Sequence, residues 1–190
     1  MIWQQALQQV SSLLGIPAQW LDSLIAFESN RKPTIKAAIP YNLSLVKQGK
    51  ATPEYARGLI QFIKPTAQAL GFKDQNELVE KYPDAADQLT IPVYNYLKQF
   101  KPFPTKQSFY MAVFYPAARN WPPLQSFPSY VTDSNPKIKT PKDYVDLIDK
   151  KKIAITGASA ALLIFAAIAI VYFYLNKEDK NGRENESRPE

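Results

Sequence analysis

Apolar residues recur at helical spacing through most of the first 115 positions and then fill one uninterrupted block near the end. Trp20, Leu21, Leu24 and Ile25 form a helical stripe that runs up to Glu28, and Pro17 fits the first turn of that helix. A second helix-like pattern covers residues 53–62. Lys64-Pro65 should interrupt it before a short turn at 66–70, which Gly71 stops. Residues 76–81, 85–100 and 105–115 are further helix candidates, with Pro92 kinking or restarting the second of them. No alternating strand pattern competes, so the predicted class is mainly α.

From Ile153 to Leu175 there are 23 consecutive positions without a charged side chain, rich in Ala, Ile and Leu. At about 1.5 Å rise per residue such a helix covers a hydrocarbon core of roughly 30 Å. A water-facing helix would need a polar side, and here only Thr156 and Ser159 interrupt before the aromatic end. Tyr172, Phe173 and Tyr174 sit where an interfacial belt is expected, and Lys150 to Lys152 bound the other end. The expectation is a single C-terminal transmembrane helix over 153–175, followed by a polar, disordered tail over 176–190. Within fifteen residues of the span, five Lys/Arg precede it and four follow it, which leans towards a cytoplasmic large domain. The first basic residue is Arg31, so the N-terminus does not read as a secretory signal. Gly157 and Ala161 have small-xxx-small spacing, which an Ala-rich span also produces by chance.

Between Pro116 and Pro141 lie six prolines in 26 residues, interleaved with Trp121, Phe127 and Tyr130. This stretch cannot be regular helix; it is either a spacer or, because a spacer needs no large aromatics, a loop packed on the domain. Thr140-Pro141 then caps a short amphipathic helix over 142–149. The organisation read from this is a domain over 1–118, a Pro-rich connector with a short helix over 119–152, the span over 153–175 and the tail over 176–190.

The chain has no His and no Cys. That removes His- and Cys-based nucleophiles, their zinc sites and disulfides, leaving carboxylates, Tyr or Lys for acid-base chemistry. No metal or cofactor is expected. A net charge of +6 suits an anionic partner or simply aids solubility. Dispersed basic residues and the lack of a Gly-rich phosphate loop argue against nucleic acid.

Leu21, Leu24, Ile25 and Glu28 fall on one helix face, so the carboxylate shares the surface turned to the core. A carboxyl at an apolar wall loses hydration, and its pKa rises, as a general acid for glycosidic cleavage requires. The alternative is a partly exposed Glu at a helix end. Glu28-Ser29 is followed by Gly58-Leu59-Ile60-Gln61-Phe62, by Lys64-Pro65-Thr66-Ala67, and by Phe114-Tyr115-Pro116-Ala117-Ala118. In this order the chain resembles the catalytic domain of soluble lytic transglycosylases, the goose-type-lysozyme-like family that cleaves peptidoglycan. That family has Glu-Ser, Gly-Leu-Met-Gln, Pro-x-Thr-Ala and Ala-Tyr-Asn-Ala-Gly in the corresponding places. The resemblance covers roughly residues 20–119; the Pro-x-Thr spacer is missing, Pro116 replaces Asn, and Ala118 replaces the last Gly.

The resemblance implies a lysozyme-like helical fold and a membrane-anchored lytic transglycosylase acting on peptidoglycan glycan strands. Glu28 is then the sole acid and base for the bond between N-acetylmuramic acid and N-acetylglucosamine. Gln61 contacts sugar, Ser29 supports the site, and Tyr115 orients Glu28 or the glycan. Read from the residues alone, Gln61 is equally a surface amide, Ser29 a helix-end hydroxyl and Tyr115 core packing. The segment from Ser29 to Gly58 is longer than in the family and carries Arg31, Lys32, Lys36, Lys47 and Lys50, suited to tracking an anionic glycan or to solvating a loop. Glu54, Glu77, Asp84 or Asp87 as a second carboxylate would instead make a hydrolase. A wall substrate without an export signal points to a viral setting, such as a phage with an internal membrane; a host-envelope protein inserted without a cleaved signal would look the same. The reading from a different class is a non-catalytic membrane protein that binds glycan or builds a virion or secretion apparatus.

Overall fold

The computed structural model describes residues 1–38, 49 and 54–155, with side chains up to Lys151. These residues are mainly helical: α1 (Trp3–Leu14), α2 (Ala18–Ser29), α3 (Lys64–Ala69), α4 (Gln75–Lys81), α5 (Ala85–Gln88), α6 (Tyr94–Leu97), α7 (Lys106–Phe114), α8 (Ser129–Ser134) and α9 (Pro141–Ile155). A small antiparallel sheet, β1 (Lys36–Ala38) with β2 (Tyr55–Arg57), follows α2. Its register pairs Lys36 with Arg57 and Ala38 with Tyr55.

The hydrophobic stripes explain most of these elements. In α1 the buried residues are Ala6, Leu7, Val10, Ser11 and Leu14, and Gly15 ends the helix at φ 71°, where a residue without Cβ carries no penalty. Its 12 charge-free residues, which carry no secretory signal pattern, form a helix whose apolar stripe packs on α2. Helix α2 starts one residue after Pro17 and buries Leu21, Leu24, Ile25 and Glu28 on the face expected. Residues 85–100 stay helical throughout, with a π turn over Leu89–Val93 that absorbs Pro92 and a 3-10 turn at Lys98–Phe100. Thr105 and Ser108 close a capping box at the start of α7.

Several expectations are corrected. Residues 54–62 are not helical: β2 leads into a reversal in which Arg57 and Phe62 exchange backbone hydrogen bonds at 2.9 and 2.7 Å. Leu59, Ile60 and Phe62 are all buried because the turn is plugged into the core, so their spacing only imitates a helix face. The sheet itself was not expected, its strands being three residues each and too short to show alternation. Lys64-Pro65 begins α3 instead of interrupting a helix, since Pro is accepted in the first turn.

Residues 119–151 pack closely on the helices before them. Phe127, Val131, Ile138, Tyr144 and Ile148 belong to the main core, and Trp121 and Tyr130 pack against it. Helix α8 fits between Pro128 and Pro136, a regular turn that the proline count had ruled out. Helix α9 is longer than the 142–149 expected and lies across α2 and α7, with the Lys106–Asp149 ion pair at 2.8 Å joining it to α7. Its last residues, Ile153–Ile155, are the first three of the apolar block. The remainder of that block and the tail lie outside the described residues, as do Lys47 and Lys50. Among the described residues no single helix is long and apolar enough to cross a membrane.

Candidate functional site

Glu28 sits in the last turn of α2 and is 1% exposed. The apolar face that carries it into the core has left its carboxyl almost without water. Its Oε1 accepts a hydrogen bond from the Tyr144 hydroxyl on α9, and Oε2 has no partner among the described residues. Burial pushes the Glu28 pKa up to about 7, opposed by the Tyr144 hydrogen bond and by the Lys151 ammonium. A neutral carboxyl with Oε1 accepting carries its proton on Oε2, the free oxygen.

Tyr144 is held on both sides. It stacks on Phe114 at 4.4 Å between ring centroids and meets Phe27 edge-on at 5.5 Å. Burial and the neighbouring Glu28 raise its own pKa well above the usual phenol range, so the hydroxyl keeps its proton and acts as donor. Seven residues along the same helix, Lys151 donates to the Phe27 carbonyl at 2.9 Å and lies 5.1 Å from the Phe27 ring centroid. Its desolvation lowers its pKa. Residues seven apart share a helix face, so α9 grips the final turn of α2 at two points. Tyr144 was missed from the sequence because its partner is 116 positions away; Tyr144 and Ile148, four apart, signalled only a buried helix face.

The residues proposed to accompany Glu28 have other partners. Ser29, fully buried, donates to the Ile25 carbonyl at 3.0 Å and so serves its own helix end. Gln61 adopts φ 58° at the end of the Gly58–Gln61 reversal, and its Nε2 donates to the Gly58 carbonyl at 2.7 Å. Its Oε1 is buried without a partner among the described residues and borders a cavity of about 10 Å³ shared with Thr66 and Tyr96. Gln61 is 3% exposed, which removes the surface-amide alternative. The Tyr115 hydroxyl lies 2.7 Å from that of Tyr130, within an aromatic group that includes Trp121 and Phe127. The hydroxyl that meets Glu28 is that of Tyr144, not that of Tyr115.

The alternative carboxylates are placed elsewhere. Asp84 caps α5 by accepting from the Ala86 and Asp87 amides, and Glu77 accepts from the Lys73 amide. Asp87 and Glu54 are exposed. Of the basic residues after Ser29, Arg31 makes a bidentate pair with Asp22, both distances 2.7 Å, while Lys36 lies over the Tyr55 ring. A cleft of about 90 Å³ beside α2 is lined by Asp22, Ser23, Phe27, Arg31, Ile148 and Lys151. It reaches the residue before Glu28 and stops short of the carboxyl. No cluster of three or more acidic residues able to hold a metal occurs among the described residues.

The arrangement therefore holds one buried carboxyl with a raised pKa, met by a phenol donor, at the junction of α2, α7 and α9. No family model, no curated protein and no solved structure matches this chain.

Proposed function

We propose that the protein is a membrane-anchored peptidoglycan lytic transglycosylase in which Glu28 is the single acid and base. The observation that carries this reading is a buried carboxyl whose pKa of about 7 leaves a large share of it protonated near neutrality, with a phenol hydroxyl in place to hydrogen-bond the carboxylate that proton transfer leaves. Oε2 of Glu28 gives its proton to the oxygen bridging muramyl C1 and the next sugar, and the C1–O bond breaks. The resulting carboxylate is stabilised by the Tyr144 hydroxyl and takes the proton of the muramyl 6-hydroxyl as O6 bonds to C1. The 1,6-anhydro end closes without a second carboxylate, since a nucleophile within the substrate has a large effective concentration. The motif order Glu28-Ser29, Gly58 to Phe62 and Pro65-Thr66-Ala67 supports the same reaction, and the apolar block 153–175 supports the anchor.

The near-complete burial of Glu28 favours a second reading, a non-catalytic glycan-binding or structural membrane protein in which this acid only joins helices. Glu28→Gln separates the two, because the amide keeps the shape and loses the transferable proton. Purified protein should release 1,6-anhydromuramyl ends from peptidoglycan, detected by mass spectrometry, and Glu28→Gln should lower that rate at least about 100-fold. Equal release by both proteins refutes the mechanism. Reducing ends instead of anhydro ends indicate hydrolysis, and no release by the parent favours the binding reading.

A further inference from the structure

Gln88, at the end of α5, is completely buried, and its side-chain amide has three backbone partners drawn from three segments. Oε1 accepts from the Leu59 amide at 2.6 Å, while Nε2 donates to the Pro33 carbonyl at 3.1 Å and the Tyr82 carbonyl at 2.9 Å. Both Nε2 hydrogens are used, so the amide cannot be flipped without losing all three bonds. Pro33 lies on the chain that leaves Glu28, five residues on, and Leu59 lies two residues before Gln61. The same two segments also meet directly, through the Gly58 amide and the Ile35 carbonyl at 3.0 Å. Gly58 is shaped to this contact: a Cβ there would stand 2.6 Å from Gln88 Oε1 and 3.3 Å from Val79 Cγ2, and its φ is 86°.

We propose that Gln88 is a positioning residue that sets the separation between the Glu28 helix end and the turn carrying Gln61. The inference rests on the transglycosylase reading and adds a residue outside every motif on which that reading stands. An amide is required because the bracket needs one acceptor and two donors at a completely buried site. An apolar residue of the same size would orphan one N–H and two carbonyls, and the turn would drift from the acid. A misplacement of about an ångström among the groups around a catalytic acid can lower turnover about 100-fold.

The test measures kcat and KM for anhydromuramyl release by the full-length chain, with the fraction folded read by circular dichroism at the assay temperature. Gln88→Leu should lose about tenfold or more in kcat per folded molecule. Its activity should still fall near pH 7, as in the parent, because the Glu28–Tyr144 pair is untouched. Gln88→Asn keeps the amide on an arm too short to reach all three partners and should lose about threefold; it carries the test by itself if the leucine variant does not fold. A folded variant with kcat within twofold of the parent overturns the inference and leaves the transglycosylase reading standing. A displaced pH limb overturns it as well, since Gln88 would then be acting on Glu28 itself. If the parent releases no ends, both fall, and the parent assay alone reveals it.

Discussion

At the residue scale a single buried carboxyl, Glu28, stands apart, and its environment makes two measurable demands. The folded pKa of Glu28, about 7, lies above its ordinary value of 4.5, so between these values the folded state holds a proton that the unfolded chain releases. Stability is therefore greatest below pH 4.5, declines as pH rises towards 7, and loses about 3 kcal/mol in all by this group. Thermal unfolding between pH 5 and 8 should show that decline, and Glu28→Gln should flatten it; a parallel slope in the variant means that Glu28 is not the titrating group. The second demand concerns Tyr144, whose hydrogen bond favours the ionised carboxylate. Tyr144→Phe removes the hydroxyl and keeps the ring stacked on Phe114. The Glu28 pKa should then rise, moving the high-pH loss of glycan cleavage upward. Stability should drop by about 1 to 3 kcal/mol for the buried bond. A pH–rate profile unchanged in Tyr144→Phe separates Tyr144 from the acid.

Helix α2 at the element scale must end abruptly so that Glu28 stays in its last turn while the chain turns towards the sheet. Asn30 and Arg31 both take left-handed backbone, at φ 52° and 59°, a conformation that costs side-chain-bearing residues about 1 kcal/mol each. Arg31 offsets its share through the bidentate pair with Asp22, which lies in α2 nine residues earlier. Its guanidinium is about a third exposed, so that pair contributes at most about 1 kcal/mol. Arg31→Ala loses the pair and keeps the strain, and should lower stability by about 1 kcal/mol; Arg31→Gly loses both and should stay near the parent. Denaturant midpoints check the order, and alanine equal to or better than glycine at 31 means the turn is not strained as described. The same accounting explains how a turn was mistaken for a helix at residues 54–62. Gly58 and Gln61 have positive φ, which no helix accepts, and a hairpin turn closed by Arg57 and Phe62 buries its apolar tip in the core.

For the whole molecule, the decisive element is α9, which carries Tyr144 to Glu28, Lys151 to the end of α2, and the first residues of the apolar block. If residues 153–175 span a bilayer, the full chain should remain in membranes washed with alkaline carbonate, and a chain ending at Lys152 should leave them. Extraction of both forms alike rules out the anchor. The helical class was legible in the sequence because burial stripes at Leu21, Leu24 and Ile25, or Leu78 and Val79, follow from local period and need no partner. So was the position of Glu28 at a buried helix end, since Leu21, Leu24 and Ile25 lead to it at helical spacing. Its rise in pKa was legible for the same reason: an apolar face desolvates whatever it carries. Local period says nothing about which distant segment covers that face. The hydroxyl that meets Glu28 belongs to a helix 116 positions away, and the amide that brackets Leu59 to Pro33 belongs to neither segment. Sequence alone determined one acid and the helix that buries it; tertiary packing decided its partner, because hydrogen bonds between segments far apart in the chain exist only once the core has closed.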